Sequence, residues 1–212
     1  MQKQNVAKVI FLSLTLILAL SVIVLFKGEK RDRTKNMYNK ICNVNEYTFK
    51  IQECKSLENK FIIVKDGKNK SLDLTSSLEH TTTLIKEGYA YFIMHNKEEY
   101  YIFESENMKE IEANILEDDL EYIKYAEYST GKEKIYGKTY YYEEYEDIDS
   151  FLMLNISLGE DTKLKTRFYF DGNSISYIKT IIDEENYELL KVEFNLKADE
   201  NLLEIPNNYA EL

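Results

Sequence analysis

Apolar side chains recur at every second position through most of this chain, the spacing that places them on one face of a β-strand. Tyr47, Phe49 and Ile51 alternate with Thr48, Lys50 and Gln52. The run FIIVKDGKNKSLDL reads as strand, turn, strand around Asp66-Gly67. TTTLIKEGYAYFIMHNKEEYYIFES repeats that arrangement, with breaks at Glu87-Gly88 and Asn96-Lys97. Towards the carboxy terminus, EKIYGKTYYYEEYED puts Tyr140 and Tyr142 on one side of a strand and Tyr141 and Glu143 on the other. A hairpin is expected around Asp171-Gly172-Asn173, and Leu190, Val192, Phe194 and Leu196 form the apolar side of a later strand. No helices alternate with these strands, so one antiparallel meander is expected. Its apolar face must be covered by a helix, by the sheet's own curl or by a ligand.

Two stretches break this period. In residues 105–122, Met108, Ile111 and Ile115 fall at helical spacing behind Ser105 as a cap, which predicts a helix packed on the sheet. Residues 9–26, VIFLSLTLILALSVIVLF, carry no charge. As a helix this run reaches roughly 27 Å, close to the ~30 Å hydrocarbon thickness of a bilayer. A cleaved signal fits less well, because the small-x-small site Ala19-Leu20-Ser21 would leave the apolar stub VIVLF on the mature chain. A buried core helix would be amphipathic, and this one is apolar all round. The pattern therefore predicts a short tail (1–8), a transmembrane anchor (9–26), a charged tether (27–36) and one β-rich domain (37–212).

Charge changes this picture in two ways. The chain carries −11 overall, and seven basic and two acidic residues up to Lys35 leave the remainder at −16. Such a surface repels nucleic acid. Around the apolar run, Lys3 and Lys8 precede it while Lys27, Lys30, Arg31, Arg33 and Lys35 follow, which by the positive-inside rule would hold the domain in the cytoplasm. An anchor at the very amino terminus and a long following domain point the other way, since long domains cross largely regardless of charge.

Candidate chemistry is sparse. Cys42 and Cys54 could close a disulfide loop in an oxidising compartment and would stay thiols in a reducing one. Their spacing fits no zinc pattern, and His80 and His95 stand apart in strand-like runs, so no metal site and no cofactor is expected. Acidic pairs such as Asp118-Asp119 and Glu143-Glu144 are inevitable in a chain with 38 acids. There is no Gly-rich phosphate loop and no G-x-S-x-G elbow, so the reading is non-catalytic.

GKEKIYGKTYYYEEYED, RFYFDGNSISYIKT and YELLKVEFNLKADENLLEIPNNYAEL, with the closing Leu203, Ile205, Pro206 and Tyr209, resemble the distal half of the LolA/LppX-like lipoprotein-carrier and lipid-binding fold. The resemblance implies an α+β domain: a curved antiparallel sheet forming an unclosed half-barrel, a helix over its concave face, an apolar cavity, and an extracytoplasmic location. Joined to the anchor, it describes a single-pass protein of the cell membrane whose outer domain binds a lipid or other apolar ligand. The chain departs from that family in lacking a lipidated cysteine after the apolar run, and a tethered protein cannot shuttle freely. Tyr89, Tyr91, Tyr140, Tyr142, Phe168 and Phe170 are the aromatics whose alternation could line the cavity, against the plainer reading of cross-strand packing. The alternative function is an envelope scaffold that fills its own core and binds a protein partner through an edge strand or aromatic patch.

Overall fold

The structure, a computed structural model, describes residues 32–55, 58–104, 123–146 and 164–212. The chain divides into two units, Met1–Asp32 and Arg33–Leu212, and the second holds all of the described helices and strands.

The described strands form one sheet. Helix α1 (Arg33–Asn43) precedes β1 (Glu46–Glu53), β2 (Lys60–Asp66), β3 (Asn69–Thr75), β4 (His80–Lys86), β5 (Tyr89–Met94) and β6 (Glu99–Glu104). Then come β7 (Tyr128–Ile135), β8 (Lys138–Glu146), β9 (Lys165–Asp171), β10 (Ser174–Ile181) and β11 (Tyr187–Asn195). A 3-10 turn (Glu200–Leu203) and the short β12 (Ala210–Glu211) end the chain. Strand order is β12-β6-β5-β4-β3-β2-β1-β11-β10-β9-β8-β7. All neighbours are antiparallel except β12 and β6, which run parallel. The chain therefore starts at the middle of the sheet, meanders out to β6, re-enters at the far edge as β7 and returns to β1. The closing segment then crosses the first half of the sheet to pair with β6. Two tight turns show the local geometry that closes such hairpins. At Glu87-Gly88 and Tyr136-Gly137 both central residues have positive φ (55° and 84°; 47° and 85°), the geometry that matches strand twist in a two-residue loop.

Register sorts the side chains onto two faces. On one, Tyr47, Phe49 and Ile51 of β1 join Val192 and Leu190 of β11, Ile178 of β10 and Phe168 and Phe170 of β9, and they bury Met37, Tyr38 and Ile41 of α1. On the opposite face, Ile62, Val64, Leu84 and Ile93 lie beneath Ala198 and Leu203 of the closing segment. Thr48 ties that segment down, donating to the Lys197 carbonyl at 2.7 Å and accepting from the Asp199 N–H at 2.9 Å.

The amino end of α1 is held by a buried carboxylate. Glu143 of β8 has no exposed surface, and its oxygens accept from the Arg33 N–H (2.9 Å), the Thr34 N–H (2.9 Å) and the Thr34 hydroxyl (2.7 Å). A helix start presents unsatisfied N–H donors and a partial positive charge, so an anion from the sheet both caps and docks it.

The expected fold class needs correction. The described residues are mostly an unclosed twelve-stranded sheet with few helices, not an α+β domain led by a transmembrane helix. Among them no helix is long and apolar enough to cross a membrane, which also removes the structural support for a single-pass membrane location. The longest, α1, has 11 residues, roughly 16 Å against the ~30 Å required. The apolar run 9–26 and the helix expected over 105–122 lie outside the described residues. The helix seen on the sheet begins inside the segment expected to be a tether. Its lysines and asparagines disguise Thr34, Met37, Tyr38 and Ile41, whose three- and four-residue spacing makes its buried stripe.

Candidate functional site

The α1-bearing face opens into a cleft at the end of β1, β2, β3 and β11. Ile51 pairs with Phe61, and Phe61 with Leu74, so three apolar side chains stand in a row across three strands, with Leu190 beside them. Together they floor a cavity of about 350 Å³. Its rim carries three acids, Glu53, Glu79 and Glu188, the neutral Asn59, Thr75 and Ser76, and Lys60 as the one rim cation among the described residues. Asn59 orients Glu53 by donating from Nδ2 to Oε2 at 2.7 Å. Burial, with help from the neighbouring Glu53 charge, pushes the Glu188 carboxyl above its ordinary value against the pull of Lys55. Beyond Leu74, register continues the same face through Met94 and Phe92 to Tyr101. Leu74 and Tyr101 remain 40% and 39% exposed, an apolar surface leading away from the cleft. A second hollow of about 710 Å³, bounded by Thr48, Lys50 and Asn195 to Asn201, has mainly polar walls and no comparable floor.

The six aromatics expected to line a cavity are divided between the two faces. Phe168 and Phe170 lie fully packed on the α1 face, Phe168 meeting Tyr38 edge-on with ring centroids 6.3 Å apart. Tyr140 and Tyr142 are on the opposite face, against Tyr177 (5.3 Å) and Tyr169 (5.6 Å). Tyr91 shares that face beneath the closing segment, and Tyr89 is largely exposed. Alternation identifies residues sharing a face within one strand, but register relates one strand to the next. Glu143 pairs with Phe168 and Tyr141 with Phe170, so the odd positions of β8 stand with the even positions of β9. Cys42 and Cys54 are not joined in a disulfide. Cys42 is at the end of α1 just before β1, and Cys54 follows the far end of that eight-residue strand, which rises about 3.3 Å per residue against the ~7 Å limit between bonded Cα atoms.

The opposite face carries a polar cluster that sequence reasoning missed. Asp73 on β3, 2% exposed, accepts from the Thr82 hydroxyl at 2.8 Å and lies 2.7 Å from His80 Nε2. Thr82 Oγ1 is also 2.8 Å from His95 Nε2, and His95 Nδ1 is 3.0 Å from the Tyr209 hydroxyl. The two imidazoles stack at 3.9 Å and 20°. The histidines are distant in sequence, but Thr75 pairs with His80, Asp73 with Thr82, and Thr82 with Ile93. Those hairpin registers were the signal available. Desolvation, reinforced by His80, lowers the His95 pKa despite the pull of Asp73.

A third group is structural. Glu133 bonds to Arg167 Nη1 (2.7 Å), Tyr169 (2.6 Å) and Lys179 (2.9 Å), and Arg167 also reaches Glu144 at 2.5 Å while lying over the Tyr142 ring. Arg167 is thus committed to carboxylates within the sheet.

No family model matches the chain, and no curated protein matches it. Among solved structures, it is similar to an uncharacterized conserved protein from Thermus thermophilus, with 10% identity over 85% of this chain and 97% of that one and a TM-score of 0.44. It is also similar to LprF from Mycobacterium bovis, with 11% identity over 84% of this chain and 97% of that one and a TM-score of 0.47. Neither likeness is strong enough to assign a family or a function.

Proposed function

We propose that this domain binds a slender apolar ligand in the cleft floored by Ile51, Phe61, Leu74 and Leu190, and performs no chemistry on it. The observation that carries this reading is the cleft itself, an apolar floor that the chain's own described side chains leave uncovered. Its volume of about 350 Å³ sits at the lower end of the ~300–1,000 Å³ typical of ligand pockets, which suits one acyl chain better than a two-chain lipid. The acidic rim disfavours a carboxylate head, because a like charge beside Glu53 and Glu188 would be held close to them at reduced dielectric. The favoured occupant has an uncharged or cationic head.

The test is displacement of a naphthylamine fluorescence probe from the purified full chain by dodecanol, dodecylamine and dodecanoate in turn. Saturable binding is expected, with the carboxylate weakest. Leu74→Arg, a change at a half-exposed position, should weaken binding about tenfold or more by placing a charge on the floor, with an unchanged unfolding midpoint. Absence of probe binding, or full binding by Leu74→Arg, would overturn the reading. A ligand-free mass accompanied by a co-purified protein would favour a scaffold.

A further inference from the structure

We infer that Asp73, His80 and His95 form a binding site for a divalent transition cation, with zinc the expected occupant. The three residues each offer one ligand atom, and these atoms all lie within 4.8 Å of one another. A carboxylate with two imidazoles is a donor set suited to zinc and poorly suited to magnesium or calcium, which take oxygen ligands. The donors come from β3, β4 and the end of β5, three adjacent strands whose ladder fixes their spacing.

Ion binding requires the two imidazoles, stacked at 3.9 Å and 20°, to turn by side-chain rotation until both ring planes meet at the ion. Metal–ligand bonds of about 2.0–2.2 Å place tetrahedral ligand atoms roughly 3.3–3.6 Å apart. Asp73 Oδ2 is 2.7 Å from His80 Nε2 and 4.0 Å from His95 Nε2, so one distance must open and the other close by less than ~1 Å, within the reach of side-chain rotation. The surroundings also suit a cation. Asp73 is a buried carboxylate, and among the described residues no lysine or arginine forms an ion pair with it, so its charge lacks a permanent counter-ion. Once an ion replaces the Thr82 hydroxyl at His95 Nε2, the ring proton moves to Nδ1 and is donated to the Tyr209 hydroxyl 3.0 Å away, the kind of outer support that metal-bound histidines commonly have. His80 remains 36% exposed, giving a route for the ion and room for water as a fourth ligand. Through Tyr209, the bound ion would also fasten the closing segment to the sheet.

The competing arrangement is a metal-free relay, with the Thr82 hydroxyl between Asp73 and His95. Stripping the full chain with chelator and dialysing it against Zn²⁺ distinguishes the two. One equivalent of Zn²⁺ above that retained by Asp73→Asn is expected, with a raised thermal midpoint. His80→Ala, at the most exposed ligand, should lose at least tenfold in affinity while keeping the parent circular dichroism. Tyr209→Phe should lose about 10- to 100-fold. Co²⁺ should give the visible spectrum of a four-coordinate ion in the parent and not in His80→Ala. Equal Zn²⁺ binding by parent, His80→Ala and Asp73→Asn, or no binding by the folded parent, would overturn the site.

Discussion

Replacing Glu143 by glutamine removes the charge that docks α1 and leaves its size almost unchanged. Glu143 is fully buried and accepts three hydrogen bonds from the start of α1, two of them from backbone N–H groups of the first helical turn, and a longer one of 3.5 Å from the Tyr145 hydroxyl. Hydrogen bonds to a charged group contribute about 1.5–3 kcal/mol each, and a partly buried helix-end charge adds up to ~2 kcal/mol. These terms do not add, because the amide oxygen of glutamine still accepts while its NH₂ must face a donor. The net loss should be about 2–3 kcal/mol, and the truncation Glu143→Ala should lose about 3–5 kcal/mol because it strands buried donors. In a unit of this size each kcal/mol moves Tm by about 2–4 °C, so Glu143→Gln should melt roughly 4–12 °C lower. Urea unfolding of the full chain measures the same loss as a lower midpoint at constant m. A double-mutant cycle with Thr34→Val should return a coupling of about 1 kcal/mol or more for the 2.7 Å bond. A Glu143→Gln protein within ~0.5 kcal/mol of the parent would show that α1 is held by its apolar stripe alone, and the capping argument would fail.

Three further outcomes rest on named contacts. A Cβ added at Gly131 would lie 2.5 Å from the end of the Tyr142 ring, which Arg167 holds in place, so Gly131→Ala should lose about 1–3 kcal/mol by thermal unfolding and recover part of it in Tyr142→Leu. Burial pushes the Glu133 carboxyl up, but bonds from Tyr169, Lys179 and Arg167 outweigh it and hold the group below its ordinary value. Its contribution is therefore complete above the unfolded pKa of roughly 4.3 and lost as pH falls through the lower folded value, so unfolding midpoints of Glu133→Gln should depend less on pH in that acid range. Glu188 has the opposite sign: with its folded pKa raised, it opposes folding as pH climbs past its unfolded value. Glu188→Gln should raise the midpoint at pH 7 and narrow the discrimination against dodecanoate.

The hairpins were legible in the sequence because a turn and the alternation on either side are local. Asp66-Gly67, Glu87-Gly88 and Asp171-Gly172 each join strands where expected. Faces were harder to read, since they depend on pairing between distant strands. The irregularity between Ile175 and Tyr177 puts Ile175 and Ile178, three positions apart, into one core, where strict alternation would separate them. Helix α1 was hidden by its polar composition, and its cap, Glu143, lies 109 residues from Thr34. Likewise no pattern along β1, β2, β3 and β11 announces a cleft: Ile51, Phe61, Leu74 and Leu190 look like any core positions until register sets them side by side.

Selective methyl labelling of isoleucine, leucine and valine, followed by intermolecular NOE measurement with bound dodecanol, tests the ligand site most directly. The expected result is contact from the alkyl chain to the methyls of Ile51, Leu74 and Leu190 and none to Ile62 or Val64 on the opposite face. Contacts confined to the opposite face, or an alcohol that leaves all of these methyls unperturbed at saturating concentration, would contradict it.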